Sequence, residues 1–334
     1  MSKPVGKTLF YPPNRPETFV AREKELCKLK DSFIGKNNAN HTLVICGLGG
    51  CGKTTLAIEF AWRSQEFYPA GVFWMSAETQ DTLEDSLTTL ALDVDSTGKD
   101  FRETFKKTLK WFSNLNERWL LVVDNIDEEY LSDNTKELLL GTWKRKTFGH
   151  IIITSRREPN EVEESMVVNK EDCITLNVFE IEEGLDFLKR RTGINCTNDD
   201  DTIMALVEEL GGLPLALEQA AAHIKSIKCT FSEYVKKFKK KRLKLLKAAP
   251  SVRKISRARQ AIATTWQLNI DYITRQSENE GLGMAAATVM QMASFLFADD
   301  IPKELINVGS PLVEDSNLVE VLEDEMGCKQ ALKF

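Results

Sequence analysis

Eight consecutive residues, Gly47-Leu48-Gly49-Gly50-Cys51-Gly52-Lys53-Thr54, have the spacing G-x-x-x-x-G-K-[ST], between an apolar run that reads as a strand and a segment with helical spacing. That arrangement suits a phosphate. Glycines let successive backbone N–H groups turn inward, Lys53 neutralises the outer phosphates, and Thr54 offers a hydroxyl to Mg2+. The dipole of the helix beginning near Lys53 adds to the attraction for an anion. A metal beside that phosphate needs a carboxylate, and Leu120-Leu121-Val122-Val123-Asp124 puts one at the end of a second apolar strand. Asn125 follows in place of another acid, so no adjacent carboxylate is there to activate a water. Asp127 is the nearest alternative, and slow hydrolysis is expected. Arg156, after the apolar run 150–155, is a cation at the mouth of another strand, placed to reach a terminal phosphate. Its neighbour Arg157 reads equally as a surface ion-pair residue. Gly211-Gly212-Leu213-Pro214 reads by itself as a helix break with proline in the next helix's first turn.

These residues need elements to position them. Short β-branched runs at 42–47, 71–76, 118–125, 150–155 and 173–176 alternate with helical segments such as 55–67, 79–93 and 101–115. Their hydrophobicity is continuous rather than alternating, which predicts a parallel sheet buried on both faces by helices. Right-handed crossovers then gather the loops after the strands along one edge, where ligands bind. Regular structure is expected from about Arg22, after a proline-punctuated segment. Beyond 177 only helices are read, including 183–193, 201–210, 213–226 and 231–246, with a hinge at 248–251. The expectation is an α/β fold: an extended lead-in (1–20), a nucleotide-binding α/β domain (21–177), a helical domain (178–250) and a third unit (251–334).

The 334 residues carry a net charge of −6, with 42% hydrophobic and 28% charged residues, an ordinary globular composition. The acidic balance argues against a chain dominated by nucleic-acid binding. Seven scattered cysteines with three histidines argue against a disulfide framework or zinc site. Neither a secretion signal nor a membrane span is read, which makes the cytoplasm the default location. One stretch departs from the average. Between 236 and 259 there are twelve Lys or Arg and no acid, and removing those twelve charges from −6 leaves −18 for the remainder. Phe238, Leu243, Leu245 and Leu246 make this an amphipathic helix whose apolar side packs inward and whose lysines face solvent. An acidic surface, with 314–325 as one candidate, is a plausible docking partner for it.

In order, PPNRPETFVAREKEL, GLGGCGKTTLA, WLLVVDNID, HIIITSR and GGLPLALEQAAAHI resemble the NB-ARC module of the signal-transducing STAND ATPases, over roughly residues 12–312. The resemblance extends to the tetratricopeptide-bearing, nephrocystin-like and NLR-type branches. SFLFADDIPKELI is similar to their winged-helix part, so 251–334 is expected to be a winged-helix domain, incomplete here. The resemblance implies that Val20 and Arg22 contact the adenine-ribose side, that Arg156 senses the terminal phosphate, and that Pro214 brings the helical domain to the nucleotide. Gly49, Gly50, Cys51, Gly52, Lys53, Thr54 and Thr55 complete the cofactor-binding set, with Thr54 and Asp124 holding the metal and Lys53, Asp124 and Arg156 the catalytic groups. It further implies ADP or ATP with Mg2+, weak ATPase activity, and a switch that self-associates when ATP-bound and meets signalling proteins in innate immunity or cell death. Nucleic acid is not an expected partner. The rival readings are a DNA-associated ATPase or STAND transcription regulator, and a permanently nucleotide-bound scaffold. Three departures stand out. Ala21 occupies a position usually held by glycine, Asn125 replaces an acid, and no histidine follows His223 to serve as the winged-helix latch. A sensor or effector region is not read, so the chain is expected to be a fragment or short form.

Overall fold

A computed structural model of the chain describes residues 11–34, 42–126, 149–166, 168–194, 199–248, 256–277 and 289. Five strands, β1 (Thr42–Cys46), β2 (Gly71–Ser76), β3 (Trp119–Asp124), β4 (Gly149–Ser155) and β5 (Cys173–Thr175), pair in parallel in the order β2-β3-β4-β1-β5. Each lies within one residue of the run read from sequence. Their side chains are buried almost without interruption, as expected of strands covered on both faces.

Helices α1 (Glu23–Ile34), α2 (Lys53–Arg63), α3 (Gln80–Asp93), α4 (Phe101–Ser113) and α5 (Pro159–Met166) flank the sheet. Two begin at side-chain caps. Thr79 accepts from the Thr82 amide at 3.1 Å, and Asp100 accepts from the Glu103 amide at 2.8 Å. Between sheet and helices the rings of Phe73, Phe112 and Trp119 pack in series, the first pair edge-to-face and the second tilted, with centroids 5.0 and 4.5 Å apart. Burying each contributes about 1.5–3 kcal/mol. Helix α5 is missing from the sequence expectation. Its signals were a proline at the first position and Glu161 in the first turn, but in eight residues only Val162 and Met166 recur at helical spacing.

From residue 11 to residue 20 the described part of the lead-in has no helix or strand, and it is tied down. Tyr11 donates its amide to the Val72 carbonyl at 3.0 Å, Trp62 donates its indole to the Pro13 carbonyl at 3.0 Å, and Arg15 forks onto Glu59 at 2.7 and 2.9 Å.

Helices α6 (Ile181–Thr192), α7 (Asp200–Glu209), α8 (Pro214–Ile227), α9 (Phe231–Ala248) and α10 (Arg257–Ser277) follow. Two compact units are present: Met1–Asn195 with Gly212–Leu215, and Cys196–Gly211 with Ala216–Phe334. In the second, α8 buries Leu217, Ala221 and Ile224, while α9 buries Phe231, Tyr234 and Phe238. His223 bonds Asn269 at 2.7 Å, and burial pushes its imidazole toward the neutral form. Leu243 corrects the sequence reading. It is 60% exposed, because five residues turn it about 140° from Phe238 and onto the solvent side. Apart from α10 and Val289, the expected winged-helix region 251–334 lies outside the described residues, as do Asp127 and the acidic stretch 314–325.

Candidate functional site

Strand order decides what meets at the ligand edge. Strand β4 lies between β1 and β3, so the phosphate loop after β1 and the carboxylate ending β3 flank the end of β4. Val123 pairs with Ile153 at the end of the β3–β4 ladder, which sets the next residues, Asp124 and Thr154, side by side. Thr154, fully buried, donates its hydroxyl to Asp124 Oδ1 at 2.6 Å and accepts the Asn125 amide at 2.8 Å. From α2, Thr54 donates to the same carboxylate at 2.9 Å. Burial pushes the Asp124 carboxyl above its usual range, and the hydroxyls of Thr154 and Thr54 together with the Lys53 charge oppose that rise. Sequence reasoning missed Thr154. The motif HIIITS gave no sign of it, since a threonine in a strand is ordinarily a packing residue.

The loop is closed by glycine geometry. Gly50 has φ +80°, and a Cβ there would come within 2.9 Å of Leu215. A Cβ on Gly47 would meet the Leu176 carbonyl at 2.5 Å. Only glycine lets the loop lie this close to its neighbours. Gly52 caps α2, so the helix begins at Lys53. The Lys53 ammonium is buried and donates to the Gly47 and Leu48 carbonyls at 2.9 and 3.1 Å. Cys51 is buried beneath the loop, and burial pushes its thiol up, which makes it a packing residue rather than a nucleophile. Thr55 is half-buried in the first turn of α2. The Arg156 guanidinium sits over the loop, its Nε 3.9 Å from where a Cβ on Gly49 would be.

Three further residues were named by resemblance. Val20 is buried. Arg22 is also buried: it donates to the Asn177 carbonyl at 2.5 Å and lies 4.7 Å from the Phe179 ring centroid. Both Ala21 and Arg22 take positive φ, +58° and +64°, so the residue before Arg22 stands in a conformation that favours glycine. Pro214 opens α8, and the next amide, Leu215, donates to the Gly50 carbonyl at 3.1 Å. A separate groove of about 510 Å3, lined by Leu26, Cys27, Lys30, Phe60, Arg63 and Phe67 among others, lies beside the far end of α2 and includes none of these residues.

Lys53, Thr54, Asp124 and Arg156 therefore stand at the ends of three neighbouring strands, with Arg22 and Leu215 bracing the loop between them. The donor set suits a phosphorylated ligand with a hard divalent cation. Among the described residues no three His, Cys, Asp or Glu side chains gather, so a metal here would have one carboxylate and one hydroxyl from the protein and would need phosphate oxygens as well.

The NB-ARC domain model matches residues 22–196. The chain belongs to the NB-ARC family. It is 26% identical over 244 residues to a nucleotide-binding leucine-rich repeat (NLR)-like protein of Hyaloscypha variabilis, covering 65% of this chain and 23% of that protein. It is 24% identical over 251 residues to human apoptotic protease-activating factor 1, covering 72% of this chain and 19% of that protein. The chain thus spans about a fifth of the length of these NB-ARC relatives. Among solved structures, Cdc6p of Pyrobaculum aerophilum superposes with a TM-score of 0.50 at 13% identity, covering 65% of each chain, a likeness of fold. Among the described residues no helix is long and apolar enough to cross a membrane.

Proposed function

We propose that this NB-ARC chain is a switch controlled by ADP and ATP, which self-associates in its ATP form and transmits a signal to protein partners in the cytoplasm. The convergence of Lys53, Thr54, Asp124 and Arg156 on one sheet edge carries this reading. Lys53 would leave the loop carbonyls to neutralise the β- and γ-phosphates, and Arg156 would sense the terminal one. Thr54 and Asp124 would hold Mg2+, which neutralises charge on the phosphates when bound. Thr154 fixes the carboxylate for that task. Arg22, which bonds the Cys51 and Asn177 carbonyls and pairs with Glu25 at 3.5 Å, would shape the adenine-ribose side together with Val20. Thr55 would support the phosphates from the helix start.

Hydrolysis would be slow, since Asn125 gives Asp124 no acidic neighbour to orient water. The switch reading is supported by α8, which starts at Pro214 with its second residue bonded to the phosphate loop and continues into the second unit. A nucleotide that rearranges the loop would act on that helix directly.

Thermal unfolding with and without Mg-ADP tests the reading. Saturation at about a hundred times Kd stabilises the folded chain by about 2.7 kcal/mol. Lys53→Ala should abolish that gain. An unchanged melting temperature for the parent at millimolar Mg-ADP and Mg-ATP would sink the proposal.

A further inference from the structure

Two helices present outward crests of opposite charge, each with one exposed leucine. On α9, Lys236, Lys240, Leu243, Lys244 and Lys247 recur at three- and four-residue spacing, opposite the buried Tyr234 and Phe238. Three other bases of α9 are used within its own unit. Arg242 pairs with Glu209 at 2.6 Å, Lys239 lies 3.8 Å from the same carboxylate, and Lys241 pairs with Asp271. Among the described residues, Lys240, Lys244 and Lys247 on the crest make no ion pair.

Helix α3, in the first unit, is the counterpart. From 78 to 95 the sequence has six acids and no base. Leu83, Leu87 and Leu90 face the core, while Asp81, Asp85 and Leu92 lie on the solvent side, with Leu92 66% exposed. Neither Asp81 nor Asp85 makes an ion pair among the described residues. Each crest spans eleven residue steps, about 16 Å of helix.

A single exposed leucine needs no explanation. Two of them, each set among unpaired charges of opposite sign on equally long crests, point to a common partner. A membrane would need the apolar side of α9, and that side is buried in the unit. A polyanion would use the lysines and leave the acidic crest of α3 unexplained.

We propose that the α9 crest of one copy docks on the α3 crest of a second copy. The contact is head-to-tail, so each added copy leaves one crest of each sign available and the assembly grows until it closes or runs on. This deepens the self-association reading and rests on it.

Charge reversal on the full chain tests the interface, with sedimentation velocity in Mg-ATP and in Mg-ADP as the readout. Lys240→Glu with Lys244→Glu reverses one crest, and Asp81→Lys with Asp85→Lys reverses the other. Each double variant should weaken association at least about tenfold, and raising salt from about 0.05 to about 0.5 M should weaken the parent similarly. Mixing the two variants should restore association, because each then meets an opposite crest. The Mg-ADP thermal shift of each variant should match the parent and so report an intact fold. If the parent assembles and neither reversal changes it, or if the mixture stays dissociated, the interface is wrong while the switch stands. If the lysine reversal abolishes duplex DNA binding without touching association, the crest serves a polyanion and the interface is again wrong. A parent that stays monomeric in every nucleotide overturns both readings.

Discussion

Thr154→Val isolates the contact that fixes the Asp124 carboxylate. Valine keeps the shape of threonine and removes the hydroxyl that donates to Asp124 Oδ1 at 2.6 Å and accepts from the Asn125 amide at 2.8 Å. Losing a hydrogen bond to a charged group costs about 1.5–3 kcal/mol, and leaving a buried amide unpaired costs about 1–3 kcal/mol more. The added methyl offsets about 0.8 kcal/mol of that. The expected net loss is about 2–5 kcal/mol, or roughly 4–20 °C for a unit of this size. The loss should also depend on pH. Burial already holds the Asp124 carboxyl above its unfolded value, so its contribution is fully present in acid and is lost as pH rises through the folded value. Removing a donor that opposes that rise lifts the carboxyl further. The gap between variant and parent should therefore be widest at neutral pH and narrow in acid. Thr154→Ser keeps both hydrogen bonds and should cost less than about 1.5 kcal/mol. Urea unfolding of the three proteins across the acid-to-neutral range is the assay. A valine variant within about 0.5 kcal/mol of the parent, or with the same loss at every pH, would refute the assigned role.

Asp124→Asn removes a buried charge, so it should match the parent in acid and be at least as stable above the folded carboxyl's titration, while losing any Mg2+-dependent gain with nucleotide; thermal melts with and without the metal read both. Gly149→Ala places a Cβ 2.0–2.4 Å from three atoms of the Trp119 ring, and overpacking there should cost about 3 kcal/mol in urea unfolding, with little change in the nucleotide-dependent gain. The Glu59 carboxyl is held below its usual range first by Arg15, with Arg63 assisting against burial. Its stabilising contribution is present above the unfolded value and is lost as pH falls through the lowered one, so Glu59→Gln should flatten the acid limb of the stability curve.

The strands were legible because each is a continuous apolar run bounded by polar residues, a signal contained in neighbouring positions. The phosphate loop was legible for the same reason: the chemistry of Gly47 to Thr54 comes from consecutive residues. Helix α5 was not, since its eight residues hold a single apolar pair at helical spacing, Val162 and Met166, too short a run to tell from a loop. Leu243 was assigned to the wrong side of α9 because apolar type alone was counted, where the helical angle from Phe238 decides. Arg22 was named by resemblance, and its burial against the Asn177 carbonyl, 155 residues away, could not be read from its neighbours.

By itself the sequence determined at which strand ends Lys53, Thr54, Asp124 and Arg156 stand, since local spacing sets both helix start and strand end. Tertiary structure decided how those ends combine. Inserting β4 between β1 and β3, in the register that aligns Val123 with Ile153, sets Thr154 against Asp124. Register is settled by the packing of side chains far apart in sequence, and it is this packing that makes a phosphate loop and a distant carboxylate into one site.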